Sequence, residues 1–260
     1  MPYDGIVMSA VVYELTGLLR NGRIDKIIQA ETDEIILGCY AHGENYKLLL
    51  SANAANPRMH LTRQKKESPL IAPPFCMVLR KHIQGGRITE ITQSGFDRVV
   101  TFTIEHPNEM GDYGIKKLVI EIMGKHSNIF LLGENGVIHD AIKHVDSSMN
   151  SYRELMPARP YVEPPAQHKI SPLDRDLLGQ LFTAERMADA SGKRCDKYLL
   201  EQISGFSPLL CRSICEAADV APDTRINLLS SDDTSALCHV LLAVCEEIEK
   251  HRYRPAILLE

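Results

Sequence analysis

The stretch VIEIMGKHSNIFLL, residues 119–132, is apolar or alternating at both ends and polar in the middle. Its ends read as half-buried strands. Gly124, Lys125, His126, Ser127 and Asn128 add nothing to a hydrophobic core. A loop between paired strands explains part of this: Gly124 allows close approach, and Ser127 and Asn128 fix the turn. It does not explain Lys125 and His126, since Asn-Gly alone satisfies a hairpin. Both can donate hydrogen bonds to phosphate or to base edges.

A second candidate is GFDRVV, residues 95–100. Gly95 permits a tight entry, and Asp97 and Arg98 begin a strand whose interior is Val99, Val100 and Phe102. A charged pair at a strand mouth stays solvated and presents a planar guanidinium to phosphate or base edges. Asp97 can hold Arg98 in place or accept from an exocyclic amine or ribose hydroxyl. The competing reading is a hairpin turn plus a surface ion pair worth about 0–1 kcal/mol. One RNA-facing site shared by Asp97, Arg98, Lys125, His126, Ser127 and Asn128 accounts for more of these residues.

Charge distribution supplies a third. Residues 1–170 hold 19 Lys and Arg against 19 Asp and Glu, and residues 171–260 hold 10 against 15. The net charge of −5 therefore sits entirely in the second part. Within the neutral part, residues 58–98 carry eight basic residues against three acidic ones. Arg58, Arg63, Lys65, Lys66, Arg80 and Lys81 are the candidates for contacts to a nucleic-acid backbone, with a solvated surface as the alternative.

These residues need elements to hold them. Residues 7–20 predict a helix with Val7, Val11, Leu15 and Leu18 on one stripe, ended by Asn21-Gly22. Strands are expected over 23–30, 34–40, 46–53, 87–93, 98–105, 116–123, 128–133 and 137–144, separated by short polar turns. Pro74 opens a helix over 74–84, and Gly85-Gly86 closes it. Sequential short strands imply antiparallel pairing and an α+β fold. Five prolines between Pro157 and Pro172 mark a boundary. The expected domains are thus 1–170 and an all-α domain over 171–260. In the second, QISGFSPLLCRSI resembles a helix-hairpin-helix, where Gly205 and Ser207 would let a phosphate approach backbone amides. An ordinary αα-hairpin capped by Gly205 is the alternative.

Several function classes lack support. No glycine-rich nucleotide-binding motif occurs. The seven cysteines include no pair of C-x-x-C motifs, so no metal site is expected, and reduced buried thiols are. No apolar run approaches the ~18 residues of a membrane span, and MPYDGIVMSA has no basic n-region, so a cytoplasmic location is expected.

SANAANPRMHLT (51–62), PPFCMVLRKHIQGGRI (73–88), GFDRVV (95–100), EIMGKHSNIFLL (121–132) and IKHV with MNSYRELMPARPYVEPPAQ (142–167) occur in this order. Together they resemble the NFACT family, which includes fibronectin-binding protein A proteins, bacterial RqcH and the eukaryotic nuclear export mediator factor. The resemblance implies an N-terminal domain similar to that of formamidopyrimidine-DNA glycosylases. A helix-hairpin-helix domain, a coiled coil and a C-terminal RNA-binding module would follow, the last two beyond Glu260. It implies binding to large ribosomal subunits obstructed by peptidyl-tRNA, and recruitment of charged tRNA, alanyl-tRNA in bacteria. Stalled chains are then extended without mRNA. The Asp97-Arg98 pair would serve tRNA recognition. No catalytic residue and no cofactor are implied.

Two rivals follow from the same resemblance. The glycosylases use an N-terminal proline as amine nucleophile and a neighbouring glutamate as acid. This chain has Pro2, but Tyr3 follows it, and Asp4 is displaced by one residue. General acid catalysis needs a carboxyl within hydrogen-bond reach, so base excision is the weaker reading. The other rival is adhesion, with fibronectin as the partner.

Overall fold

The computed structural model describes residues 3–107 and 111–255. Pro2 lies outside them. By their contacts these residues form two compact units, one of residues 11–94, 98–107 and 111–165, the other of residues 3–10, 95–97 and 166–255. Residues 3–10 and Gly95–Asp97, expected in the first domain, thus group with the C-terminal helices.

The larger unit is an antiparallel sheet. Its strands are β1 (Arg23–Glu31), β2 (Glu34–Ala41), β3 (Glu44–Ser51), β4 (Arg58–Leu61), β5 (Arg87–Gln93), β6 (Val99–Pro107), β7 (Tyr113–Glu121), β8 (Asn128–Leu132) and β9 (Ile138–Ala141). Among the described residues the order is β4-β3-β2-β1-β5-β6-β7-β8-β9. Two meanders therefore join where β1 meets β5. That junction is short: Arg23 pairs with Arg87, and Ile24 exchanges backbone hydrogen bonds with Gly85 and Gly86.

Helix α1 (Gly5–Leu19) precedes the sheet, and α2 (Pro74–Ile83) packs against β1, β6 and β9. Strands so far apart in the order can share one helix only if the sheet curls around it. Lys143 confirms the curl, because its ammonium, just past β9, donates to the carbonyl of Ala52, just past β3, at 2.5 Å. Asn21 ends α1 with a φ of 64°, and Gly85 follows α2 with a φ of 88°, both left-handed as a helix stop needs.

Two expectations need correction. Of the expected stripe of α1 only Leu15 is fully buried, together with Met8 and Leu19, while Val7, Val11 and Leu18 are half-buried, so the buried face is rotated from the expected one. Strand β4 was not expected. It pairs with β3 from Ser51↔Arg58 to Leu48↔Leu61. Its residues Arg58, Met59, His60 and Leu61 do alternate polar and apolar, but four residues are the shortest run in which alternation can announce a strand.

The smaller unit is helical, with α3 (Arg175–Gly179), α4 (Ala184–Asp189), α5 (Cys195–Gln202), α6 (Pro208–Ala217) and α7 (Ser231–Glu249). Its core includes Tyr198, Leu199, Phe206, Ile214, Leu237 and Leu241, with Ile6 and Phe96 packed against it. Asp4 caps α1, accepting from the amides of Ile6 at 3.1 Å and Val7 at 2.8 Å. That position gives its carboxylate a structural task. Cys39, Cys76, Cys195, Cys211, Cys215 and Cys245 are buried free thiols, and Cys238 is half-buried. Among the described residues no helix is long and apolar enough to cross a membrane.

Candidate nucleic-acid interface

Between β7 and β8 the chain makes a single 3-10 turn, Gly124–His126, entered with Gly124 at a φ of 58°. Lys125 and His126 are exposed on it. Ser127 and Asn128, expected to face RNA beside them, are 1% and 2% exposed. The Ser127 hydroxyl accepts from the Met123 amide at 2.7 Å. The Asn128 carboxamide accepts from the amides of Ile129 and Lys143 and donates to the Lys143 carbonyl. Their polar atoms are thus satisfied internally, and they hold the turn that displays Lys125 and His126.

A cavity of about 290 Å³ opens at this turn, lined by residues 125–128 together with Lys143, His144, Asn150 and Arg153. The Lys143 ammonium also donates to the Ser127 carbonyl at 3.2 Å, which ties the turn to the segment after β9. Beneath it lies a buried cluster. Arg153 donates to both oxygens of Glu121, at 2.7 and 2.6 Å, and to the Val162 carbonyl at 2.8 Å. The Tyr161 hydroxyl donates to Glu121 at 2.7 Å. Burial works against the charge on Arg153, but Glu121 outweighs it and raises its pKa. Burial and the Glu121 charge push Tyr161 up, so its phenol keeps the proton it donates.

Arg98 is exposed. It lies in the β5–β6 turn rather than in the strand, which starts at Val99. The turn is closed by the Ser94 amide on the Val99 carbonyl at 3.0 Å, with Gly95 at a φ of 54°. The Arg98 carbonyl accepts from the Ile122 amide at 2.9 Å, two residues before Gly124. Arg98 and the Lys125-His126 turn therefore share one end of the sheet. Asp97, half-buried, groups with the helical unit.

The six basic candidates divide. Arg58 pairs with Glu34 at 3.1 Å, Lys66 pairs with Glu34 and Glu31, and Arg80 donates twice to the Ile27 carbonyl. Those three serve the sheet, because each meets an internal acceptor that folding brings to it. Arg63, Lys65 and Lys81 are exposed.

The helical hairpin needs a larger correction. Gly205 has a φ of 79°, and a Cβ there would come within 2.8 Å of the Phe96 Cβ. The Gly5 amide donates to the Gly205 carbonyl at 3.0 Å. Ser207 is 5% exposed and caps α6 by accepting from the Leu210 amide. The small residues expected to admit a phosphate admit the protein's own backbone and Phe96.

Lys143, Asn150 and Arg153 were missed as cavity residues. They stand in IKHV and MNSYRELM, where no local pattern assigns them a role.

The chain thus combines a curled antiparallel sheet that carries cationic turns at one end with a helical unit. A family model described as NFACT N-terminal and middle domains matches residues 4–260, and the chain belongs to the NFACT family. The Rqc2 homolog RqcH of Bacillus subtilis (strain 168) is 41% identical over 261 residues, covering 99% of this chain and 43% of that protein. The chain thus spans less than half the length of that relative. Among solved structures, the N-terminal part of the fibronectin/fibrinogen-binding protein of Streptococcus suis aligns with a TM-score of 0.80 at 30% identity, over 94% of this chain and 84% of that one. The fibrinogen-binding protein of Staphylococcus aureus aligns at 0.77 and 32% identity, over 96% and 83%.

Proposed function

We propose that this chain belongs to a ribosome-associated quality control factor. It binds obstructed large ribosomal subunits and recruits charged tRNA, alanyl-tRNA, for mRNA-independent tailing of stalled chains. The observation that carries this reading is the 41% identity to RqcH across 99% of the chain. Asp97, Arg98, Lys125 and His126 contact the tRNA, while Ser127 and Asn128 hold the turn. Arg63, Lys65 and Lys81 add backbone phosphate contacts. The domains are an NFACT N-terminal domain over 1–170 and a helix-hairpin-helix domain over 171–260. The protein positions RNA in the cytoplasm and performs no chemistry of its own.

The names of the Streptococcus suis and Staphylococcus aureus proteins favour a second reading, binding of fibronectin or fibrinogen. Parallel binding assays on purified large ribosomal subunits carrying peptidyl-tRNA and on immobilised fibronectin separate the two. The first reading expects binding to the subunits that weakens steeply as salt rises, because phosphate contacts release counterions. Saturable binding to fibronectin with none to the subunits would reverse the order.

A further inference from the structure

A different cationic group lies on the concave side of the same sheet unit. His82, in the last turn of α2, stacks on His139 of β9, with ring centroids 4.8 Å apart and planes at 23°. The Lys116 ammonium on β7 lies 3.2 Å from His139 Nε2. An ammonium only donates, so that nitrogen accepts and the ring is neutral. His106 on β6 donates through Nε2 to the carbonyl of Gln84, the residue after α2, at 2.9 Å. Lys81, exposed, precedes His82.

The helix dipole favours Lys81 and His82 at the C-terminal end of α2, but it does not account for His106, Lys116 and His139 arriving from three strands. Among the described residues no carboxylate acts on His82 or His139 strongly enough to offset these cations. Burial, then His139, Lys116, Lys81 and His106, hold His82 below its ordinary 6.5. Burial and Lys116 lower His139 in the same way. Asp140, next to His139, is engaged by His144 at 2.7 Å and by the Ala141 amide. With both rings neutral, the charge of the group lies on Lys81 and Lys116, and an external anion would offset the penalty that both lysines place on protonating His82 and that Lys116 places on protonating His139.

We propose that His82, His106, Lys116 and His139, with Lys81 at the rim, form a phosphate-binding patch whose occupant is the phosphodiester backbone of an RNA. The choice of RNA rests on the proposed function. The patch is distinct from the Lys125-His126 turn, since Lys116 precedes Glu121 by roughly 17 Å of strand. Bound phosphate favours imidazolium, so binding through the patch tightens as pH falls through the histidine range.

The test is a histidine NMR titration of the 260-residue chain, alone, with unfractionated tRNA, and with inorganic pyrophosphate. His82→Asn and His139→Asn assign the signals. We expect tRNA to raise the apparent pKa of both histidines, and pyrophosphate to raise them less. Lys116→Ala should lower the slope of log affinity against log salt for tRNA by roughly 0.7–0.9. Bound tRNA that leaves both titrations unmoved overturns the patch while the proposed function stands. Pyrophosphate that shifts both histidines in a protein to which tRNA does not bind overturns the assignment to RNA, and with it the reading on which it rests. If an Asn variant unfolds, the wild-type titration still decides, because both rings respond together.

Discussion

Glu121 and Arg153 meet through two parallel hydrogen bonds of 2.7 and 2.6 Å, with Glu121 fully buried and Arg153 8% exposed. The pair fastens the end of β7, just before the Gly124 turn, to the segment that lines the cavity. Removing one partner leaves a buried charge unpaired, which typically costs about 3–5 kcal/mol. Arg153→Leu should therefore destabilise the sheet unit by about that much in denaturant melts, and Glu121→Leu with Arg153→Leu by less. A double variant no more stable than the single one would mean the pair is not coupled as the geometry requires.

Arg98 is exposed in a turn held by backbone hydrogen bonds, so its side chain is dispensable for folding. Arg98→Ala should leave Tm close to wild type, and Asp97→Ala with Arg98→Ala should abolish tRNA binding and tailing in the full-length protein. Lys125→Ala with His126→Ala should weaken tRNA binding in the same way. By contrast Asn128→Ala, which strands the Lys143 amide and carbonyl, should lower stability by about 1–3 kcal/mol. Retained tRNA recruitment in the Asp97 and Arg98 double variant sinks this site.

The basic residues should sort by their partners. Arg63→Ala, Lys65→Ala and Lys81→Ala together should reduce both tRNA affinity and its salt slope, without a change in melting. Arg58→Ala and Arg80→Ala should do the reverse, since each removes an internal hydrogen bond. Equal salt slopes in the two sets would show that the exposed lysines and arginine are only a solvated surface.

Gly5 and Gly205 should tolerate no side chain. A Cβ on Gly5 would lie 2.0 Å from the Phe96 carbonyl oxygen and 2.5 Å from the Gly205 Cα. Overpacking of this kind costs typically about 1–3 kcal/mol. Gly5→Ala and Gly205→Asp should both destabilise the helical unit, so lost ribosome binding in Gly205→Asp reports folding. A Gly205→Asp protein with wild-type melting would contradict the packing described.

Glu34 gives an acid-side signature. Burial pushes its pKa up, but Lys66 and Arg58 outweigh that and hold it below its ordinary 4.5. A carboxylate depressed by folding contributes stability above its unfolded pKa and loses it as pH falls through the folded value. Melting curves between neutral pH and the acid limb should show this loss in wild type and a shallower one in Glu34→Gln. Its partners Arg58 and Lys66 are 27% and 25% exposed, so solvent screens the pairs and the difference should stay below about 1 kcal/mol.

Local chemistry was enough for most elements. Pro74 and Gly85 bracket α2, and strands β1 to β3 and β5 to β8 follow period-two or apolar runs bounded by turn residues, because burial on a sheet imposes that pattern directly on the chain. The five blocks from SANAANPRMHLT to MNSYRELMPARPYVEPPAQ, taken together, also carried the resemblance to the family to which the chain belongs. What each polar residue does within those blocks was decided by tertiary structure. Lys125 and Ser127 are two residues apart in one polar run, yet one is exposed and the other is 1% exposed, since Ser127 closes the 3-10 turn by accepting from the Met123 amide. Arg80 and Lys81 are adjacent and both basic, but only Arg80 meets the Ile27 carbonyl, a partner 53 residues away. Gly205 looked like an opening for phosphate until folding brought Gly5 and Phe96 against it. A sequence states which groups can donate, accept or make room. Their partners lie far along the chain, and only the curled sheet and the packed helices bring those partners within reach.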